Sequence, residues 1–318
     1  MNAVEALFAD LGGAHENRDS HNTEGAVIKR PYNDMDSTHR FPVEIMTSIF
    51  HLVSSVLDLI SVSHVCQRWR AIAQGTPTLW APCVFSLPTG HVERLAWAKN
   101  VPLDIQLSTA SPLSPRTPQL LQAAASCVAR ARNIALFAIL CNDEDPTFHG
   151  DVSVWSHWRN ALSGQPLPLL QGLYVSNRVF TTWQGALPPW EIQPLVAPNL
   201  KTVRFLGTFV PFSSTTLTHL DMSCYPKSPG DFCTPTVLIA ILESASNTLQ
   251  TLILGHRFPN VEGLSHSHGP GFHISLPHLH TLSLTGSVKR CIALKQYLHI
   301  PPTVDLRLEF NDAFYDED

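Results

Sequence analysis

The chain has 318 residues, 44% of them apolar and only 15% charged, with a formal net charge of −5. That length exceeds one small core and fits one large domain or two parts. Acids and bases are interspersed rather than gathered into a basic stripe, which argues against a nucleic-acid partner. The first 39 residues hold seven acids and three bases, and the last ten, EFNDAFYDED, hold five acids and no base. Between them lie 14 acids and 18 bases. The 25 prolines are spread along the chain, the pattern of many short elements punctuated by turns.

The seven cysteines (Cys66, Cys83, Cys127, Cys141, Cys224, Cys233 and Cys291) are odd in number, irregular in spacing and form no CxxC pair. They read as reduced thiols rather than a disulfide framework or a zinc ribbon. There is no N-x-S/T sequon, and the start, MNAVEALFADLGG, lacks the basic flank and apolar run of a signal peptide. The most apolar short run, IALFAILC at 134–141, falls far short of the ~18–20 residues of a membrane span. These features describe a soluble intracellular protein, cytoplasmic or nuclear, with no membrane partner.

Residues 1–38 are mostly polar and read as a disordered N-terminus. Pro42 suits a helix start, because its missing N–H would be orphaned there anyway. Ile45, Ile49, Leu52 and Val53 then recur at helical spacing, with Met46 and Phe50 widening the stripe. Asp58 is the expected N-cap of the next helix. Leu59, Val62, Cys66, Trp69 and Ala73 repeat at intervals of three and four, on one helix or on two broken near His64. Gly75 is the expected stop and Pro77 bars continuation. Trp69 thus lies on the apolar face, with Arg68 and Arg70 as solvated shoulders.

Beyond residue 100 a second regularity appears. An L-x-x-L-x-L core recurs as LLQGLYV (169–175), NLKTVRF (199–205), TLTHLDM (216–222), TLQTLIL (248–254) and HLHTLSL (278–284). TVDLRLEF (303–310) is a looser copy, and PLDIQLS (102–108) and NIALFAI (133–139) are weaker ones. The second apolar positions of the five good copies and the looser one are 30, 17, 32, 30 and 24 residues apart. Such a core at ~20–30 residues is the mark of a leucine-rich solenoid, each copy a short strand with one face inward. Helical patterns at 234–247 and 287–299 fill two gaps, and the 17-residue gap leaves no room for a helix. The downstream Asn usual in such repeats is missing, so the repeats are degenerate.

The segment RFPVEIMTSIFHLVSSVLDLISVSHVCQRWRAIAQGTPTLW (40–80) resembles an F-box. Pro42, Glu44, Ile45, Ile49, Phe50, Leu59, Val65, Cys66, Arg68, Trp69, Leu79 and Trp80 carry the match, and Phe41 stands where the family has Leu. The whole layout is similar to the F-box proteins expanded in mushroom-forming fungi. The fold class expected is α+β: a small all-α F-box at 39–85, an irregular leucine-rich-repeat-like α/β solenoid at 86–310, and an acidic tail at 311–318.

The resemblance implies a non-enzymatic substrate receptor of an SCF-type (Skp–cullin–F-box) ubiquitin ligase. The F-box would bind a Skp-family adaptor and, through it, a cullin scaffold, and the repeats would bind a target protein. Adaptor contacts carried over are Phe41, Pro42, Ile45, Ile49, Leu52, Val65, Cys66 and Trp69. Trp80 is expected to join the F-box to the first repeat. The alternative is a structural repeat scaffold whose F-box no longer engages a ligase.

In a solenoid, the residue between the last two apolar positions of each copy faces outward. Those residues are Tyr174, Arg204, Asp221, Ile253, Ser283 and Arg307, the expected target-binding row. The histidines of SHSHGPGFHISLPHLH (His266, His268, His273, His278, His280) surround a Gly-Pro-Gly and lack a ligand-spaced carboxylate or HExxH, so they read as a solvated loop. No nucleophile elbow, Walker loop or G-x-G-x-x-G occurs. No cofactor, metal or catalytic residue is expected.

Overall fold

A computed structural model describes residues 37–108, 117–140, 158, 161–179, 193–223, 233–256, 258–261 and 272–311. The expectations for the polar N-terminus up to residue 36, for His266 and His268, and for the acidic tail from 312 fall outside these residues. The chain divides into two compact units, residues 1–45 and 46–318.

In the first unit a 3-10 helix, Ser37–Arg40, precedes Phe41, whose N–H donates to the Thr38 carbonyl at 3.2 Å. Helix α1, Val43–His51, begins one residue after Pro42 and runs across the division between the units. Its side in the second unit buries Met46 and Phe50, one helical turn apart, and leaves Ile49 exposed.

Helix α2 is Val56–Ser63. Its N-cap is Ser55, whose hydroxyl accepts from the Leu57 N–H at 3.2 Å, and not Asp58. Asp58 lies one turn further on, where its charge still complements the helix dipole. The helix closes at His64, and α3, Gln67–Gly75, starts after Cys66. The break is spanned by Arg70, whose Nε donates to the Ser63 carbonyl at 3.3 Å, so this arginine does more than solvate a shoulder. Gly75 is the last residue of α3 rather than its stop. The Thr76 hydroxyl back-bonds to the Ile72 carbonyl at 2.7 Å and Pro77 opens α4, Pro77–Trp80. A 3-10 turn, Ala81–Cys83, and α5, His91–Ala98, complete the helical region.

The remaining described elements are strands with helices between them. Strands β1 (Leu103–Ser108), β2 (Ala131–Leu140), β3 (Gly172–Val179), β5 (Thr202–Leu206), β7 (His219–Ser223), β8 (Thr251–Gly255), β10 (Thr281–Gly286) and β12 (Asp305–Phe310) form one parallel sheet. They lie in chain order, β1-β2-β3-β5-β7-β8-β10-β12. Each copy of the L-x-x-L-x-L core, the weak ones included, ends in one of these strands. Helices α6 (Thr117–Ser126), α7 (Pro235–Ser244) and α8 (Val288–Tyr297) connect some of them, α7 capped by the Thr234 hydroxyl and α8 by that of Ser287. Between β5 and β7 there is no helix, only the short strand β6, Phe212–Ser213, which pairs with β4, Leu195–Val196. A second short pair joins β9, Ile274–Ser275, to β11, Leu298–His299.

Period-two alternation sends one set of side chains inward. Ile105, Ile134, Leu173, Val203, Leu220, Leu252 and Leu282 stand in register across seven strands, and all are buried. Leu107, Leu136, Val175, Phe205, Met222, Leu254 and Leu284 make a second buried row. The helical residues Met46, Phe50, Leu59, Ile72 and Trp80 belong to the same continuous core.

A ladder of short polar side chains ties successive copies together at the entry to each strand. The Asn199 amide donates to the Pro168 carbonyl at 2.7 Å, the Thr216 hydroxyl to that of Pro198 at 2.8 Å, and the Thr248 hydroxyl to that of Leu217 at 2.8 Å. Each polar residue immediately precedes the first Leu of its copy. These bonds give turn carbonyls a partner within the chain, the Leu217 carbonyl among them from a buried residue.

Candidate functional site

Two surfaces hold the candidate residues. In the first unit Phe41, Pro42 and Ile45 are exposed, and so are Val43 and Glu44. In the second unit Ile49 is 43%, Val65 60% and Leu52 83% exposed, although all three are large and apolar. Leu57, on α2, is exposed as well. Cys66 and Trp69 are half-buried. The Trp69 ring packs on Phe50 with centroids 5.4 Å apart, so it supports helix α1 from beneath while keeping one edge in solvent. A helical segment that buries Met46, Phe50, Leu59 and Ile72 and still exposes this much aliphatic surface has the composition of a docking patch.

Further along the chain the helical region is braced by Trp80 and Arg94. Trp80 is fully buried, its indole N–H donating to the Ala73 carbonyl at 2.7 Å and its ring 4.6 Å from that of Trp97 on α5. Arg94 is also buried; its Nε donates to the Val84 carbonyl at 2.9 Å and its Nη2 to that of Leu87 at 3.0 Å. Burial pushes the Arg94 guanidinium below its ordinary value. Burial also pushes the Cys83 thiol up to about 11, with Arg94 acting in the opposite sense. Cys83 is therefore a neutral packing thiol and not a nucleophile at neutral pH.

The second surface is the outer face of the sheet. Tyr174, Arg204, Asp221, Ile253, Ser283 and Arg307 fall opposite one another on successive strands, making one unbroken row. Gln106 and Ala135 extend it over β1 and β2. At one end the row is organised as a stack. The Phe137 and Tyr174 rings lie 4.7 Å apart, the Arg204 guanidinium sits 5.4 Å over the Tyr174 ring, and Arg204 Nε meets Asp221 Oδ2 at 2.8 Å. The Ser223 hydroxyl donates to the other oxygen of Asp221 at 3.3 Å. Asp221 is buried rather than exposed, because Arg204 lies across it. At the far end Arg307 folds back on Asp305 at 2.8 Å.

Phe137 was not among the residues singled out from the sequence. Its copy is one of the weak ones, and the signal that could have found it is an aromatic residue two places after the outward Ala135. Among the described residues no group of three or more His, Cys, Asp or Glu side chains could hold a metal ion. His273 bonds the Gln296 carbonyl at 3.1 Å instead. Among them, too, no helix is long and apolar enough to cross a membrane.

Comparison with known proteins agrees with the helical region. Residues 39–86 match the family described as F-box-like. No curated protein and no solved structure matches the chain. The chain thus carries an F-box-like domain followed by a parallel sheet in a mixed α/β fold. F-box domains generally bind Skp-family adaptors and are typically adaptor modules rather than enzymes, so the domain suggests a ubiquitin-ligase adaptor role.

Proposed function

We propose that the chain is the substrate-recruiting subunit of an SCF-type ubiquitin ligase, an intracellular, non-enzymatic protein. Its F-box docks a Skp-family adaptor, which brings a cullin scaffold, and its sheet is a leucine-rich-repeat-like solenoid that holds a target protein. The layout fits the expanded F-box proteins of mushroom-forming fungi. The observation that carries this reading is the exposure of Ile49 on α1, of Leu52 in the turn after it and of Val65 in the break between α2 and α3, beside helices that bury Met46, Phe50, Leu59 and Ile72. Burial of one such side chain contributes roughly 1.5–3 kcal/mol, so a handful supports a stable complex. In the first unit Phe41, Pro42 and Ile45 supply further apolar surface to the adaptor, and in the second Cys66 and Trp69 contribute half-buried side chains.

Target capture is assigned to the row Tyr174, Arg204, Asp221, Ile253, Ser283 and Arg307. Tyrosine and arginine dominate binding hot spots, and here they are held in place before any partner arrives. The chemistry belongs to other subunits. This chain raises the effective concentration of the target beside them.

The test is co-purification of the chain with a fungal Skp adaptor, with Ile49→Asp beside it. The wild type is expected to co-elute and the variant to lose binding by at least about tenfold, while both unfold alike. A folded wild type that shows no binding at micromolar concentration overturns the receptor reading and leaves a repeat scaffold.

A further inference from the structure

The two ends of the sheet are finished differently. At β1 the 3-10 turn Ala81–Cys83 packs alongside, and Leu103, Ile105 and Leu107 are buried. On β12 the inward residues are less covered: Leu308 is half-buried against the core, while Leu306 is 40% and Phe310 50% exposed. Among the described residues β12 pairs with β10 alone, and no described strand covers its outer edge. An open edge with apolar residues beside it is a template for strand addition.

The direction of the edge groups follows from two hydrogen bonds. Asp305 and Asn311 donate their N–H groups back to the carbonyls of His280 and Gly286. Alternation then turns the N–H and C=O groups of residues 306, 308 and 310 outward. The outer face of the same strand reads Asp305, Arg307, Glu309, alternating in charge.

We propose that the occupant of this edge is a second copy of the chain, paired antiparallel through β12 about a two-fold axis centred on Leu308. This register places Leu308 opposite Leu308 of the second copy, Leu306 opposite its Phe310, and Arg307 opposite its Glu309. The outward-pointing backbone groups of 306, 308 and 310 then meet as hydrogen-bonded pairs. Arg307 and Glu309 fall at the intervening non-bonded positions, where side chains approach more closely, ~4.5 Å between Cα atoms. The two most exposed apolar side chains of β12 cover each other. Neighbouring registers fail. Centring on Arg307 opposes Arg307 to itself and Asp305 to Glu309, and centring on Leu306 sets Phe310 against Pro302, which has no N–H to give. The pairing is isologous and closes, as a two-fold interface must. It is independent of the adaptor and target readings, apart from the shared residue Arg307.

The test is sedimentation of the 318-residue chain with Arg307→Glu, with Glu309→Arg, and with the two variants mixed. The wild type is expected at twice the chain mass at tens of micromolar. Each variant alone sets like charges opposite one another and is expected as a monomer. The mixture restores both pairs and is expected to return to the dimer, which a merely misfolded variant would not do. A monomeric wild type overturns the proposal. In that case protection of the 306, 308 and 310 amides from hydrogen exchange would assign the edge to another segment of the same chain, and rapid exchange would leave it for a target. A wild-type dimer with no rescue in the mixture overturns it too, by placing the interface elsewhere.

Discussion

The indole N–H of Trp80 donates to the carbonyl of Ala73 at 2.7 Å, and both residues are fully buried. One side chain therefore closes α3, fixes α4 and presents a ring to Trp97. Trp80→Phe keeps part of the packing and removes one of the two donors to the Ala73 carbonyl, which keeps the Thr76 N–H at 3.2 Å. The expected loss is about 0.5–1.5 kcal/mol from that bond, with a cavity cost added. Urea unfolding of the two proteins checks it: the midpoint should fall with an unchanged slope.

Met46 and Ile49 are three residues apart on one helix and have opposite fates. Met46 is buried and Ile49 is exposed. Met46→Ala is expected to cost roughly 2–5 kcal/mol. Ile49→Ala should change stability by less than about 0.5 kcal/mol. Thermal melts of both variants decide whether this face of α1 is oriented as described. Equal losses would mean that it is not.

The polar ladder predicts a difference between two threonines. Thr248 places its hydroxyl on the carbonyls of Leu217, Thr215 and Ala245. Thr248→Val should cost about 1–3 kcal/mol, because backbone acceptors at the turn lose their donor. Thr251, on the outer face of β8, serves as control, and Thr251→Val should lie within about 0.5 kcal/mol of wild type. Chemical denaturation of the pair measures both.

His256 gives a pH dependence. It follows β8 with φ at +45°, in the left-handed region that few residues adopt, and its Nδ1 is buried without a partner among the described residues. Burial holds its imidazole below the ordinary 6.5, with Glu309 pulling the other way. The sign follows directly. As pH falls through 6.5 the unfolded chain takes up a proton that the folded chain resists, so folding weakens on acidification. His256→Asn tolerates the same backbone and has no proton to take up. The melting-temperature gap between wild type and variant should shift in the variant's favour from pH 7.5 to about pH 5. A gap that stays constant would remove His256 as the cause.

Much of this fold is legible in the sequence. The eight copies of a short apolar alternation sit where the eight long strands lie, because period two is a property of the extended backbone and does not depend on neighbours. The short gap before Leu220 holds no helix for a similar reason: a crossover helix needs about a dozen residues. The helical region is legible through Pro42, Cys66, Trp69 and Trp80, rare residue types in a fixed order.

What lay beyond the sequence concerns direction and partnership. On α1, Met46, Ile45 and Ile49 are equally apolar and all at helical spacing, so hydrophobicity alone could not say which side meets the core. The packing of Trp69 against Phe50 decided it for the second unit. Asp221 reads as an exposed row member until Arg204, on a strand 17 residues earlier, is laid over it. The capping choice of Ser55 over Asp58 depended on where the chain turned. Alternation and spacing are local and are written into the chain; register, burial of a charge and the pairing of each strand edge arise only when distant segments meet, because each is set by what lies across the gap.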